Sequence, residues 1–365
     1  MPHTSFQSIE QSSHDNQTFS GIIYFFYAFD VGDDINLAEA EKLLKPMIHQ
    51  RSWPKYLTSY HRPLCVDLIP ADQSRPRPHY VNIHPFGAIS VVYAVNFKGT
   101  LTSLRDKLAD LDAQFQEQAI QNALKIYNSI KPHVGKANFF HQKNSYLVIT
   151  IEPQPEKIAT TVLREKYGPV IASTLRFEKS NISSFQLEDI LESATGYYRE
   201  DLVIIDTEAA FVYDKEHQDL LDFFELATIQ QLELRYFDKL IAQKLDVLYD
   251  KALQTPSFRN CLPFIGTLYD PISELSRLKV EISVITERLG NSIKTVGEVY
   301  YSEIYELLVE KLDINPLRHS VEKKLAILQE VQTLYQHKVN TIREDTFSLL
   351  ITILIFIELL VAIYK

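Results

Sequence analysis

Residues 347–364 read FSLLITILIFIELLVAIY, an 18-residue run in which Glu358 is the only charged side chain. As an α-helix rising ~1.5 Å per residue, this run is ~27 Å long, close to the hydrocarbon thickness of a bilayer. The alternative is a buried core helix, but such a helix is rarely apolar on every face over this length. The run therefore predicts a membrane span that ends the chain.

The predicted anchor consists of apolar side chains around one acid: Phe347, Leu350, Leu354, Phe356, Glu358 and Leu360. Only Lys365 follows it, whereas Lys338 and Arg343 precede it, which favours a tail anchor with the rest of the chain on the cytoplasmic face. An acidic residue at the bilayer centre costs about 2.5–3.5 kcal/mol. Glu358 is therefore predicted to be neutral or to reach outward, or else to hydrogen-bond another helix in an oligomer.

Upstream of the anchor, mostly apolar residues are spaced alternately four and three apart. This helix seam consists of Val321, Leu325, Leu328, Gln332, Tyr335, Val339 and Ile342, and it continues into the anchor. Such spacing is typical of a coiled coil, in which a polar residue such as Gln332 fixes the register. The seam joins two chains, or it packs within one chain against a second stripe formed by Leu234, Phe237, Ile241, Leu245 and Leu248; the sequence favours neither.

The chain before residue 214 alternates short β-branched and aromatic runs with helical stretches. Strands are predicted at Ile22–Phe29, Cys65–Ile69, Tyr80–Ile83, Ala88–Phe97, Tyr146–Glu152, Ile171–Phe177, Leu202–Asp206 and Ala209–Tyr213. Helices are predicted at Asn36–Gln50, Leu101–Lys131, Pro155–Lys166 and Ser184–Ser193. The irregular order favours a mixed or antiparallel sheet with helices on one side over a doubly wound sheet.

After residue 214 the strand patterns stop and long helical patterns follow, at 215–253, 272–289, 293–312 and from 317 to the end. Prolines and Gly290 mark the breaks between them. The fold class is therefore α+β: a mixed or antiparallel sheet domain, then a domain of long, coiled-coil-like helices that ends in one transmembrane helix. The predicted divisions are a disordered start at 1–19, the sheet domain at 20–213, the helical domain at 214–345 and the anchor at 346–365.

Composition excludes several classes of function. The 365 residues carry ten more acids than bases, which argues against nucleic acid as a direct partner. No two of the ten glycines are closer than seven residues, so the glycine-rich dinucleotide, P-loop and nucleophile-elbow motifs are absent. The two cysteines are far apart in the sequence, and no two histidines have the spacing of a metal-binding pair, so the sequence does not predict a zinc site. Neither a metal nor a cofactor is predicted.

Two groups of acids are candidates for chemistry. Asp30, Asp33 and Asp34 follow the first predicted strand, and oxygen-rich clusters of this kind hold divalent cations. The pattern favours the alternative, a turn and helix N-cap, for which Asn36 and Glu39 are well placed. Asp206 and Glu208, at a strand end, are predicted to share one face, where the pattern favours solvated side chains over a carboxylate pair.

The C-terminal part resembles the Rmd/Sif-type "required for meiotic nuclear division" family, which contains domain of unknown function 155. The residues that carry the resemblance are Tyr301–Leu312 (YSEIYELLVEKL), Ile357–Leu360 (IELL) and the strand at Phe86–Val92 (FGAISVV). The resemblance implies a membrane-anchored oligomer in a bacterial inner membrane, or alternatively the mitochondrial one. The mitochondrial member of that family supports translation and has no established enzymatic activity, so the resemblance implies a similar role here.

Two functions are consistent with these patterns. The first is a tail-anchored scaffold or tether without catalytic activity, which binds the bilayer, forms a homo-oligomer through its C-terminal helices and presents the sheet domain to a soluble protein partner. It would support translation or membrane organisation. The alternative is a membrane-bound, metal-dependent hydrolase that uses the acidic candidates. The two are distinguished by whether those carboxylates converge in one concave pocket.

Overall fold

The computed structural model describes residues 17–49, 62–68, 76–139, 143–153, 157–215, 217–253 and 299–364. The predicted helix at 272–289 lies outside these residues, and so does most of the predicted disordered start. The first strand begins at Phe19, whose side chain is buried.

Seven strands of the described chain form one mixed sheet, in the order β3-β4-β5-β1-β7-β9-β8. All neighbouring strands in it are antiparallel except β7 and β9, which are parallel. Two further strands, β2 and β6, pair with each other. The strands are β1 (Phe19–Asp30), β2 (Asp34–Ile35), β3 (Leu64–Val66), β4 (Tyr80–Ile83), β5 (Ala88–Gly99), β6 (Val134–Gly135), β7 (Lys143–Ile151), β8 (Leu202–Ile205) and β9 (Ala209–Tyr213).

Five α-helices lie between strands of the described chain, and three follow the last strand. The α-helices are α1 (Leu37–Leu44), α2 (Leu101–Ile130), α3 (Thr160–Lys166), α4 (Gly168–Leu175), α5 (Ser184–Glu192), α6 (Gln218–Leu253), α7 (Val299–Lys311) and α8 (Ile314–Ile363). Two 3-10 turns at Lys45–Met47 and Lys131–His133 extend α1 and α2. The mixed sheet domain and the long C-terminal helix confirm the predicted α+β class.

Helices cover both faces of the sheet, so the expectation of helices on one side is wrong. Phe25, Tyr27 and Phe29 of β1 point into a core with α1 to α5. The alternating residues Tyr24 and Phe26 point into a second core with α6, α7 and α8. Because both faces of β1 are buried, its sequence lacks the polar alternation of a half-exposed strand. Each fully buried aromatic side chain contributes roughly 1.5–3 kcal/mol of burial free energy.

The predicted strand at Ile171–Phe177 is wrong, since these residues belong mostly to α4. Pro169 lies in the first turn of the helix, where its missing N–H costs nothing. Ile171, Ala172 and Leu175 are buried at helical spacing against the core. A short apolar run rich in β-branched residues has no period that separates a strand from a buried helix.

α8 begins where the sequence predicts a break, at Asn315–Pro316. Asp313 has a left-handed backbone with φ of 54°, which separates α7 from α8. Pro316 then lies in the first turn of α8, where it is tolerated. α8 continues for 50 residues to Ile363, and its first half packs on α6.

Gly87 offers a test of the packing between the β4–β5 turn and the turn that follows β1. Its φ is +99°, and an added Cβ would lie 1.8 Å from the carbonyl oxygen of Gly32. We expect Gly87→Ala to lower the free energy of unfolding by at least about 2 kcal/mol, because the backbone must shift and the φ is strained for an L-residue. Urea unfolding measures the loss. Gly99→Ala is the control, since its Cβ would meet the movable Ser103 side chain; equal losses for the two variants would contradict this account.

Candidate functional site

The C-terminal end of α8 is the first candidate site. Its most apolar 18-residue window has a mean hydropathy of 2.6, and none of that window is buried inside the protein. All six residues predicted to form the anchor are exposed: Phe347, Leu350, Leu354, Phe356, Glu358 and Leu360. In the described chain, this is the one helix that is long and apolar enough to cross a membrane.

The helix seam starts inside the folded body. Val321, Leu325 and Leu328 are buried in the core that α6 contributes to, together with Leu234, Phe237 and Ile241. Ile342 is half-buried, whereas Leu334, eight residues earlier on α8, is 68% exposed. The side chains of Gln332, Tyr335 and Val339 lie outside the described part of the chain. Packing within one chain therefore accounts for the first part of the seam.

The acids after β1 have separate environments. Asp30 is buried, and its Oδ1 accepts a hydrogen bond from the backbone N–H of Gly32 at 3.0 Å. Asp33 forms an ion pair with Lys136 at 2.8 Å, while Asp34 is exposed at the start of β2. Asn36 caps α1 by accepting from the N–H of Glu39 at 3.3 Å. This is the turn and N-cap arrangement that the sequence offered as the alternative to a metal site.

Asp206 and Glu208 do not form a carboxylate pair. β8 ends at Ile205, so both residues lie in the turn to β9, where strand alternation no longer applies. Asp206 is fully buried, and its Oδ1 accepts from Nη2 of Arg176 at 3.0 Å. Glu208 is exposed on the other side of the turn. Burial raises the pKa of Asp206, and the Arg176 guanidinium opposes that shift.

The two acidic groups also lie apart from each other. Asp30 ends β1 and Asp206 follows β8, which is three strands away in the sheet order. At about 4.8 Å per strand, the component of the separation across the sheet alone is roughly 14 Å. Among the described residues, no group of three or more His, Cys, Asp or Glu side chains is arranged to hold a metal ion. The structure therefore places the predicted acids in separate environments, Asp33 beside Lys136 and Asp206 beside Arg176.

Polar groups that sequence reasoning missed lie on the sheet-facing side of α6. Glu225 is buried and accepts from Nδ2 of Asn82 at 2.9 and 3.0 Å, and His84 lies 3.6 Å from the same carboxylate. Glu233 is buried further along the helix. The sequence does contain a sign of their burial. These acids lie among the apolar residues of α6, whereas a solvated acid would lie on the opposite, polar face of the helix.

Asp30 and Glu233 influence each other electrostatically within this buried layer. Burial raises the pKa of Asp30 to about 7. Burial also raises the pKa of Glu233, and the charges of Asp30 and Asp33 raise it further. Because an ionised carboxylate loses its hydration in this layer, the structure favours the protonated acids. One oxygen of each, Oδ2 of Asp30 and Oε1 of Glu233, has no hydrogen-bond partner in the described chain.

A polar cleft of about 480 Å³ lies at the first residues of β7. Segments from both sides of the sheet line it: α2, β7, the end of α4, the β8–β9 turn and α6. Its charged residues are Asp112, Lys143, Glu208 and Arg235. The volume falls within the range of small-molecule sites, which is about 300–1,000 Å³. It is the second candidate site.

Lys143 lies on the α2 side of the cleft. Its Nζ is 5.7 Å from the centroid of the Tyr27 ring, and the Tyr27 hydroxyl donates to Oδ1 of Asp112 at 2.7 Å. Partial burial lowers the pKa of Lys143, and the charge of Asp112 opposes that shift. The ammonium group is therefore partly desolvated beside a carboxylate.

Arg235 lies on the α6 side of the cleft. Its Nη1 donates to Oδ1 of Asn144 at 3.0 Å, and Nδ2 of Asn144 donates to Gln231 at 2.7 Å. Gln231 in turn donates to the carbonyl oxygen of Leu312 at 2.7 Å. This chain of hydrogen bonds ties β7, α6 and the turn before α8 together, so the wall of the cleft is fixed from three elements.

The fold and these sites define a class: α+β proteins with a mixed sheet between two helical layers and one C-terminal helix apolar enough to anchor in a membrane. The chain belongs to the family described as "Uncharacterized protein MJ0711, N-terminal domain", which matches residues 20–219. A relative, Uncharacterized protein MJ0711 of the archaeon Methanocaldococcus jannaschii, is 25% identical over 202 residues. The match covers 54% of this chain and 59% of that relative, and no solved structure matches.

This family membership corrects the resemblance drawn from the C-terminal helices. The chain matches the MJ0711 family through its sheet domain, and the "required for meiotic nuclear division" family finds no support. The residues of that resemblance lie mainly in α7 and α8, where amphipathic and apolar helical patterns recur in unrelated proteins. A bacterial or mitochondrial inner membrane also loses its support, since the relative is archaeal.

Proposed function

We propose that the protein is a tail-anchored, self-associating scaffold that holds its sheet domain near a membrane for a soluble protein partner. One observation carries the proposal: α8 is a single helix that belongs to the folded core at one end and is exposed and apolar at the other. A continuous helix transmits a fixed spacing between the two ends. The orientation proposed from the flanking Lys338 and Arg343 places the sheet domain on the cytoplasmic side.

The distance between the two ends supports a spacer role. Leu328 is the last seam residue in the buried core, and the apolar run begins at Phe347. Nineteen helical residues at ~1.5 Å each separate them, or roughly 29 Å. The folded body would thus stand off the bilayer surface, leaving its sides accessible to a soluble partner.

Self-association is supported by the part of the seam beyond Leu328. The 4-3 spacing continues there through Ile342, in a region where α8 also exposes Leu334. Helices with such a repeat bury their apolar side chains by pairing, and anchoring in one bilayer raises the local concentration of the chains. The proposal therefore assigns the first part of the seam to α6 and the second part to another copy of α8.

The hydrolase alternative draws no support from the placement of the acidic candidates. Asp30 is buried beneath α6, Asp206 is buried against Arg176, and Glu208 is exposed. A hydrolase would need these groups to face one concave site within hydrogen-bonding reach of a substrate.

Ile342→Asp tests self-association without touching the core of the folded body. In full-length protein in mild detergent, we expect the wild type to sediment as an oligomer and the variant to shift to the monomer mass, since a charge at a seam position must be desolvated on pairing. Thr341→Asp is the matched control, because Thr341 is exposed and its hydroxyl donates to the carbonyl oxygen of His337 on the same helix. A monomeric wild type at micromolar concentration, or equal effects of both variants, would contradict self-association.

A further inference from the structure

We propose that the polar cleft at the start of β7 binds a small zwitterion, a soluble molecule with one acidic and one ammonium group, such as a free amino acid. Lys143 and Arg235 would face the acidic group, and Asp112 and Glu208 the ammonium group. This inference is independent of the scaffold role, since it concerns the sheet domain alone.

The cleft exists because β7 is longer than its neighbour. β7 begins at Lys143, but its pairing with β9 begins only at Leu147. The N–H of Leu147 donates to Glu208, and that of Glu152 donates to Ser20 on the opposite side. Since successive residues of a strand direct their backbone groups to alternate sides, those of Ser145 face the gap beside β9. The gap therefore supplies backbone hydrogen-bonding groups as well as charged side chains.

The charges of the cleft are balanced, since two cations and two carboxylates line it. Among the described residues, neither Lys143 nor Arg235 forms an ion pair; Lys143 lies over the Tyr27 ring, and Arg235 donates to Asn144. A ligand with only a negative charge would be repelled by the two carboxylates, and a ligand with only a positive charge would be repelled by the two cations. A zwitterion complements both signs at once, and partial burial strengthens these interactions relative to bulk water.

Phe177 adds an apolar side chain to the wall of the polar cleft, from a constrained backbone position. Phe177 follows α4 and has a positive φ of 56°, which is unusual for a bulky residue. Its N–H donates to Thr174, and the N–H of Glu178 donates to Ser173, as in a Schellman cap that usually carries glycine. Phe177 lines the cleft from this position, and strained backbone of this kind clusters at binding sites.

The position of the cleft favours a soluble ligand over a lipid headgroup. Gln231, which lines the cleft, bonds to Leu312 just before α8 begins. From Ile314 to Phe347, α8 rises through 33 residues, or on the order of 50 Å. A phosphatidylethanolamine headgroup also carries an acidic and an ammonium group, but the helix holds the cleft far from the bilayer end.

Calorimetric titration of the full-length protein in mild detergent tests the proposal, with L-serine and L-glutamine as probes and acetate and ethylammonium as single-charge controls. We expect at least one amino acid to bind about tenfold more tightly than either control, equivalent to ~1.4 kcal/mol. Equal binding of acetate or ethylammonium, or no saturation by either amino acid below roughly 10 mM, would overturn the proposal.

Lys143→Met should weaken the amino acid binding at least about tenfold while the thermal transition is retained, because the variant keeps the apolar stem and removes the charge. Lys98→Met is the matched control: Lys98 is exposed at the opposite end of the sheet, paired with Ser20. Equal weakening by both variants would place the binding elsewhere.

Full-length protein in phosphatidylethanolamine and phosphatidylglycerol vesicles should bind the amino acid equally. Loss of binding only in phosphatidylethanolamine vesicles would overturn the proposal of a soluble ligand.

Discussion

Deleting residues 347–365 is expected to move the protein from the membrane pellet to the soluble fraction. The deleted run contains thirteen Leu, Ile, Phe and Val residues, each contributing about 0.3–0.6 kcal/mol to insertion at the centre of a bilayer. Their sum, roughly 4–8 kcal/mol, exceeds the cost of Glu358, which is at most about 3.5 kcal/mol. In the described chain, no other helix is apolar enough to replace the deleted one.

Membranes washed at alkaline pH and collected by ultracentrifugation provide the measurement. Glu358→Gln is the control, since it keeps the apolar run and removes its single acid, so this variant should remain in the pellet. Circular dichroism of the released protein should retain the sheet and helix signals, because among the described residues neither core extends beyond Val331. A truncated protein that still pellets after the wash would mean that another segment holds it to the membrane.

Asp30→Asn is expected to stabilise the protein at alkaline pH. Asp30 is 2% exposed, and the backbone N–H of Gly32 donates to its Oδ1 at 3.0 Å. Asparagine has nearly the same shape and retains an acceptor for that N–H, but it carries no charge that must be desolvated. The substitution therefore removes the destabilising ionised form and keeps the hydrogen bond.

The direction of this pH dependence follows from the pKa of Asp30, which burial raises from 3.8 to about 7. The folded state binds this proton more tightly than the unfolded state, so the stabilisation is complete below about pH 4 and is lost as the pH rises to about 7. Three pKa units correspond to ~4 kcal/mol, so we expect a gain of about 2–4 kcal/mol at pH 8 for Asp30→Asn and much less at pH 4.

Urea unfolding of the full-length protein in detergent at pH 4, 6 and 8 checks this pH dependence. Asp34→Asn is the control, because Asp34 is exposed two residues before the α1 cap and should change stability little. A gain that is equal at all three pH values, or a loss at pH 8, would contradict a buried, proton-binding carboxylate at position 30.

The candidate sites illustrate why sequence reasoning located some groups and missed their environment. Asp30 was found as part of an acidic turn, but its burial depends on α6, which is about 190 residues further along the chain. Lys143 and Arg235 carried no signal, since a lysine at a strand start and an arginine on a helix are ordinary surface residues. They meet only because β7 extends past β9, a mismatch of lengths that no local pattern records.

The sequence by itself determined the features that depend on local physics. The apolar run at 347–364 and the strand and helix periods before and after residue 214 predict a mixed sheet followed by long helices, because side-chain hydrophobicity and period act within a few turns. The break at Asn315–Pro316 was also readable, since proline constrains its own backbone.

Only the tertiary structure decided which elements cover which faces. The 4-3 spacing of the seam requires an apolar partner but does not say whose; the packed structure places Val321, Leu325 and Leu328 on α6 of the same chain. Likewise, the run at 171–177 became a helix because its apolar residues fill the core at helical spacing. Hydrophobic burial is non-directional, so the choice of partner follows from the whole chain's topology and not from the stripe that is buried.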